Sequence, residues 1–299
     1  MDKKDIIQSL QTVADYIRWG SSQLANSNVF YGHGTENPWD EAAAIVYHVL
    51  SLPHDLNQPI DACRLTSVEK EAILELVERR IETRKPLPYL TGKAMFCGLE
   101  FLVDETVLIP RSPIGELIEE GFRPWLQEEP SRLLDLCTGS GCIAVAVALA
   151  FPESSVVASD ISSEALRIAE KNVETYELSD DVELIQSDVF EGIEKQAFDL
   201  IVSNPPYVDA YDMSTLPEEF EHGPELALAA GEDGLDIVKR ILSQAADYLS
   251  DDGVLMVEVG NSWEALEAAY PEVPFTWIEF EKGGHGVFVL TREELQQYI

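Results

Sequence analysis

Apolar residues recur at helical spacing through roughly the first 85 positions of the chain. Ile6, Ile7, Leu10, Val13, Ala14 and Ile17 fall on one helical face, and the pattern returns over 42–50 and 68–81, the latter through Ile73, Leu76, Val77 and Ile81. Pro53, Pro59, Pro86 and Pro88 punctuate the segment. Residues 1–88 therefore predict a small all-α domain. From Tyr89 the texture changes: Met95-Phe96-Cys97, a turn at Gly98, and apolar stretches over 100–103 and 107–109 predict short β segments, a hairpin linker over 89–112. A helix over 114–125 opens the third region, 113–299, which alternates strand and helix as a parallel α/β sheet does. The predicted strands are 132–137, 156–160, 182–186, 199–203, 253–259, 275–280 and 286–290; the predicted helices between them are 143–151, 163–176, 234–249 and 263–269. Only residues 281–285 separate the last two strands, so those are expected to pair antiparallel. The fold class is α/β: a mixed sheet with a C-terminal antiparallel hairpin, preceded by helices and a β-hairpin linker.

Composition narrows the setting. The longest apolar stretch, Cys142 to Phe151, is far shorter than the roughly 20 residues of a membrane span. The opening Met1-Asp2-Lys3-Lys4-Asp5 leads into no apolar leader segment, so a cytoplasmic protein is expected. Cys63, Cys97, Cys137 and Cys142 form no CxxC pair, and His33, His48 and His54 share no ligand spacing, so no metal site is expected. Charge is the unusual total: 20 Lys and Arg against 55 Asp and Glu give −35. Such a surface repels phosphate backbones and draws cationic partners, so no direct nucleic-acid contact and no membrane contact is expected. Plain solubility or a saline habitat also accounts for the charge.

Chemistry enters at Leu133-Leu134-Asp135-Leu136-Cys137-Thr138-Gly139-Ser140-Gly141-Cys142, an apolar strand running through a Gly-x-Gly turn into an apolar helix. Glycines let the backbone turn tightly and approach a ligand, and the helix N-terminus offers free N–H groups. Asp160 follows Gly139 at the end of the next strand, where a carboxylate accepts from ribose hydroxyls. Ala144 replaces the third glycine of the dinucleotide pattern, and Asp135 puts a second carboxylate beside the turn. Two carboxylates disfavour a pyrophosphate and suit a cationic ligand, which favours S-adenosylmethionine over NAD. A purely structural turn stays open at this point. After the third strand, Ser187-Asp188-Val189-Phe190 offers a carboxylate for an adenine amino group with Val189 or Phe190 against the ring; turn capping by Asp188 fits equally.

The most specific signal is Asn204-Pro205-Pro206-Tyr207, directly after the apolar run Leu200-Ile201-Val202. A shuffled chain of this composition would contain roughly 0.0007 copies of it. Two prolines end a hydrogen-bond ladder, so they serve no sheet. They do make a rigid platform on which the Asn204 amide oxygen and the Pro205 carbonyl accept from a planar NH₂ group while Tyr207 stacks on its face. Held so, a poor nitrogen nucleophile presents its lone pair to a methyl donor, and positioning supplies the rate.

With these motifs the chain resembles the class I, Rossmann-like S-adenosylmethionine-dependent methyltransferases of the N5-glutamine group. The likeness extends from the helical domain through Tyr89-Leu90-Thr91-Gly92, Leu108-Ile109-Pro110-Arg111, the glycine turn and the Asn-Pro-Pro-Tyr tetrapeptide. That group methylates the side-chain amide of a glutamine in a protein, one branch acting on peptide-release factors and another on large-subunit ribosomal protein L three. Arg111-Ser112-Pro113-Ile114-Gly115-Glu116, Phe96-Cys97-Gly98, Pro224-Glu225-Leu226 and Pro274-Phe275-Thr276-Trp277 resemble the ribosomal-protein branch. The resemblance implies that the helical domain recognises the substrate and that S-adenosylmethionine is the cofactor. It implies cofactor or substrate contacts at Asp160 and Asn204 and a glutamine site at Asn204, Pro205, Pro206 and Tyr207; with the turn and strand-end residues read above, the expected cofactor contacts are Asp135, Thr138, Gly139, Ser140, Gly141, Asp160, Asp188, Val189 and Asn204. Val189 stands where the release-factor branch often carries a Trp against adenine. The implied partner is a basic ribosomal protein, free or early in assembly. Adenine-N6 DNA methyltransferases share the tetrapeptide, but they call for a basic groove that 20 cations against 55 anions do not predict. A non-catalytic cofactor-binding scaffold on the ribosome would have no need of the tetrapeptide.

Overall fold

A computed structural model describes residues 3–53, 56 and 58–299. Met1, Asp2 and His54, used above, lie outside the described residues. The chain divides into two units: residues through Lys93 joined by Pro217–His222, and Ala94–Leu216 with Gly223–Ile299. Among the described residues no helix is long and apolar enough to cross a membrane.

In the first unit the apolar face expected to run unbroken through Ile6 and Ile17 is split between two helices, α1 (Lys3–Ser9) and α2 (Val13–Ala25). The break has a local cause. Thr12 accepts from the Asp15 N–H at 3.2 Å and Asp15 accepts from the Thr12 N–H at 3.0 Å, a capping box that starts a new helix. A second box, Thr66 with Glu69, starts α4 (Ser67–Thr83), and Asn37 caps α3 (Pro38–Val49). Tyr89 to Thr91, expected in the hairpin linker, belong to a short helix, α5 (Leu87–Thr91), with Pro88 in its first turn. Tyr16, Leu24, Ile45, Ile73 and Leu74 form the buried centre.

Residues 217–222, expected inside the sheet domain, belong to the helical unit. Glu219 is fully buried there, accepting from the Phe30 N–H at 2.6 Å and from Arg84 Nη2 at 2.7 Å, with Arg80 Nη1 at 3.6 Å. Arg80 is equally buried and donates to Glu41 at 2.6 Å and to the Phe30 carbonyl at 2.7 Å. Burial pushes the Glu219 pKa up, but the Phe30 N–H and the Arg84 guanidinium outweigh it and leave the carboxyl below its ordinary value.

The second unit opens with β1 (Lys93–Phe96), whose first residue belongs to the helical unit, paired with β2 (Leu99–Leu102). Helix α6 (Ile114–Glu119) stops short of the expected Trp125. Then come β3 (Arg132–Leu136), α7 (Cys142–Ala150), β4 (Ser155–Asp160), α8 (Ser163–Thr175), β5 (Val182–Gln186) and β6 (Phe198–Ser203). The chain ends through α9 (Ala210–Met213), α10 (Asp236–Ala245), β7 (Leu249–Glu258), α11 (Trp263–Ala269), β8 (Thr276–Trp277), β9 (Val287–Thr291) and α12 (Arg292–Tyr298). The sheet order is β5-β4-β3-β6-β7-β9-β8, parallel through β7, with β9 antiparallel to both its neighbours. The mixed sheet and its terminal hairpin are as expected. Strand β7 begins earlier than expected because Leu249 pairs with Phe198 across an irregularity before the Leu200–Val254 register. That start shortens α10. Strand β8 keeps only two residues of the expected six.

Side chains alternate between two apolar faces. Leu133, Val156, Val202 and Met256 pack under α6 and α7, while Leu134, Leu136, Ile201 and Leu255 pack under α10, α11 and α12. Because β3 has β4 on one side and β6 on the other, the connections diverge at its C-terminal end and leave a crevice there, the usual ligand position in such sheets.

Candidate active site

The glycine turn leaves β3 with Cys137, Gly139 and Gly141 all at positive φ. A Cβ on Gly141 would stand 3.1 Å from that of Ala169, so glycine lets α7 and α8 close together. A Cβ on Gly139 would meet nothing within 4 Å among the described residues, so that position faces open space. Asp160 secures the turn: one carboxylate oxygen accepts from the Gly139 N–H and the other from the Ser162 N–H, each at 2.9 Å. Burial pushes its pKa up against those N–H groups. Asp135 lies under the turn, 1% exposed, accepting from the Thr138 hydroxyl at 2.6 Å and the Ala144 N–H at 3.2 Å through one oxygen. Its other oxygen has no partner among the described residues, and burial pushes the carboxyl up to about 7. The buried Ser140 hydroxyl is likewise without a partner among them.

A cavity of about 260 Å³ opens at these strand ends. Of the residues expected from the sequence, Thr138, Gly139, Ser140, Asp160, Asp188, Val189, Asn204 and Pro206 line it. Asp135, Gly141, Pro205 and Tyr207 do not. Asp188 is in an ion pair with Arg240 of α10 at 2.7 Å, and Arg240 also lines the cavity. Phe190, weighed above as a partner for a ring, is core: it is buried and stacks on Tyr248 at 4.4 Å.

The tetrapeptide begins where β6 ends. Ser203 donates to the Leu136 carbonyl at 2.8 Å, which brings the two strand ends together. Asn204 Oδ1 is buried and has no partner among the described residues. Pro205 is buried, and the Tyr207 hydroxyl donates to Glu258 at 2.8 Å. Glu258 ends β7, is 5% exposed, and accepts from the Ser112 hydroxyl at 2.5 Å. Burial pushes the Glu258 pKa up against these two bonds and the nearby Arg111 guanidinium; burial and the Glu258 charge push the Tyr207 phenol up too. Neither Glu258 nor Arg240 was assigned a part from the sequence. The signal for Glu258 was a lone carboxylate inside the apolar run Val254-Leu255-Met256-Val257-Glu258-Val259; Arg240 gave none.

Residues 122–228 match the Methyltransferase small domain family. The chain is 48% identical, over 99% of its length and 95% of the relative's, to the ribosomal protein uL3 glutamine methyltransferase of Francisella tularensis. It is also 48% identical, over 96% of its length and 95% of the relative's, to that of Neisseria meningitidis. The chain belongs to the ribosomal protein uL3 glutamine methyltransferase family. Among solved structures, the hMettl16 catalytic domain in complex with the MAT2A 3′UTR hairpin 6 overlaps with a TM-score of 0.53 at 18% identity, over 83% of this chain and 92% of that one. At that identity the likeness speaks for fold alone. The second unit has the class I methyltransferase fold, and this member of the family is a methyltransferase with its crevice at the strand ends of β3, β4 and β6.

Proposed function

We propose that this methyltransferase transfers a methyl group from S-adenosylmethionine to the side-chain amide nitrogen of a glutamine in ribosomal protein uL3, in the cytoplasm. The observation that carries the reading is the buried, unpartnered Asn204 Oδ1 at the cavity wall. A buried acceptor left unmade is costly, so the site calls for a donor, and an amide NH₂ is one. The residues present fit the cofactor as well. Gly139 leaves the space a nucleoside needs, Asp160 offers a carboxylate in the wall, and the orphaned Ser140 hydroxyl is free to meet a polar group. Bound there, the sulfonium supplies an electrophilic methyl.

The protein's part is orientation. Asn204 Oδ1 would accept from one amide hydrogen and the Pro205 carbonyl, set back from the cavity lining, from the other, which fixes the plane of the amide and shifts electron density toward its nitrogen. The two prolines hold both acceptors on a stiff backbone. With its plane held this way the nitrogen would present its lone pair to a bound methyl donor, which would leave as the neutral thioether while the released amide proton passes to solvent. Tyr207 lies next along the chain, its ring set by bonds at the hydroxyl and at its own carbonyl.

Charge supports a free substrate. A protein that binds RNA is basic, and a −35 enzyme steers it electrostatically; within a finished subunit, RNA phosphates would repel the same enzyme. Free or early-assembly uL3 is therefore the proposed form. The test gives the purified enzyme labelled methyl donor with free uL3, intact large subunits, a release factor or duplex DNA, followed by mass mapping of the product. Methylglutamine in free uL3 is expected, at a rate that falls with salt through KM as the Debye length shrinks from about 10 Å at 0.1 M to about 3 Å at 1 M. Label in DNA or in release factor with none in uL3 overturns the reading. Equal rates on free uL3 and intact subunits overturn the steering account.

A further inference from the structure

Glu258 is buried at the site, and the reading above gives it no part in holding the amide. A carboxylate in that position needs both oxygens engaged, and both are. One accepts from Tyr207 at 2.8 Å, the other from Ser112 at 2.5 Å. The Ser112 oxygen in turn accepts from the Ile114 N–H at 3.2 Å, so its own proton points to Glu258. Ser112 lines the cavity beside Arg111, while Tyr207 closes the tetrapeptide. Tyr207 is seated at two further points by residues that follow Glu258 directly. Ser262 donates to the Tyr207 carbonyl at 2.7 Å. At Gly260, φ +46°, a Cβ would stand 2.5 Å from the Tyr207 ring, so only glycine lets the ring lie there.

We propose that Glu258 is a positioning residue for methyl transfer. It clamps the Tyr207 phenol to the Ser112 segment of the cavity wall, and so holds the 204–207 platform in the single orientation that aligns the amide nitrogen. The inference rests on the glutamine reading above. Bonds to a charged acceptor are the strong ones, which makes a carboxylate a better clamp than a neutral group.

Glu258→Gln keeps the shape but replaces a charged acceptor by a neutral amide whose NH₂ forces one of the two hydroxyls to turn and accept, so the clamp loses its charge-assisted bonds and its fixed direction. With full-length enzyme and free uL3, kcat is expected to fall about 10- to 100-fold, the scale on which small misplacements act. KM for uL3 should move less than about threefold and the calorimetric Kd for S-adenosylmethionine less than about twofold, the signature of an interaction that matters in the transition state. Tyr207→Phe cuts the same clamp from its other end, so the double variant should fall about as far as the worse single one rather than to their product. Ser112→Ala removes a hydroxyl and no charge; it serves if a thermal melt finds Glu258→Gln unfolded, with a kcat loss of about 3- to 10-fold expected. Failure of the wild-type enzyme to methylate uL3 overturns the glutamine reading and this inference with it. If the wild type is active, the clamp is refuted by an unchanged kcat in a folded variant, by multiplying losses, or by a loss confined to cofactor Kd.

Discussion

Asp135→Asn removes a titration that the fold makes expensive. The folded carboxyl is pushed up to about 7 by burial, against an ordinary value of 3.8, in spite of the Thr138 hydroxyl and the Ala144 N–H. Between those two values the folded state keeps a proton that the unfolded state has lost, so stability falls as pH rises. Well inside that window each pH unit removes about 1.36 kcal/mol; the slope halves at pH 7, so about 2 kcal/mol goes between pH 5 and pH 7, and the loss levels off by about pH 8. Asparagine accepts from the same two donors through its oxygen and carries no charge at any pH, so any fixed cost of the substitution cancels when the difference is followed against pH. The assay is urea unfolding of the cofactor-free protein at half-unit steps from pH 5 to pH 8, followed by tryptophan fluorescence. Wild type minus Asp135→Asn should decline by about 2 kcal/mol toward pH 7 and flatten by about pH 8. Parallel curves across the window, or a difference that grows with pH, would refute the claim that Asp135 is a protonated carboxyl under the turn at low pH.

Asn204→Ala should lower kcat by about 100-fold or more while the calorimetric Kd for S-adenosylmethionine barely changes; equal losses in both would remove Asn204 from the amide site. Asp160→Ala should weaken S-adenosylmethionine by about 1–3 kcal/mol, because a charged acceptor and the hold on the Gly139 N–H go together, and unchanged calorimetry would refute it. Glu219→Ala leaves Arg84 and Arg80 short of a buried carboxylate and should cost about 3–5 kcal/mol in the helical unit, read by chemical unfolding; a loss below about 1 kcal/mol would mean that the pairing is idle.

What the sequence disclosed was what short-range patterns encode. The strand–glycine turn–helix passage and the tetrapeptide are contiguous, so their residues were found together, and most of them line one cavity. The helix break at Thr12 was also local, a Thr-x-x-Asp box, yet apolar residues continuing at helical spacing across it masked the cap. The start of β7 was hidden because Ser250, Asp251 and Asp252 read as a helix end rather than as part of a strand. The remaining misses are contacts between charged or hydroxyl groups far apart in sequence: Ser112 with Glu258, Asp188 with Arg240, Glu219 with Arg84. Among 75 charged residues no periodicity singles such contacts out, because they are selected by three-dimensional neighbours and not by spacing along the chain.

The residence of 217–222 in the helical unit bears on how the chain is made. Domains usually complete in the order of synthesis, but here the first unit is unfinished when Lys93 has been added, because the carboxylate opposite Arg84 and Arg80 has not yet been translated. From Lys93 to His222 is 222 − 93 = 129 residues, so at about 5–20 residues per second the nascent helices wait roughly 6–26 s for their last segment, through the synthesis of β3, β4, β5 and β6. A fragment ending at Lys93 carries the buried Arg80 and the partly buried Arg84 without that carboxylate. The helical unit is therefore to be studied on the whole chain, since cutting at the apparent boundary removes a piece of it.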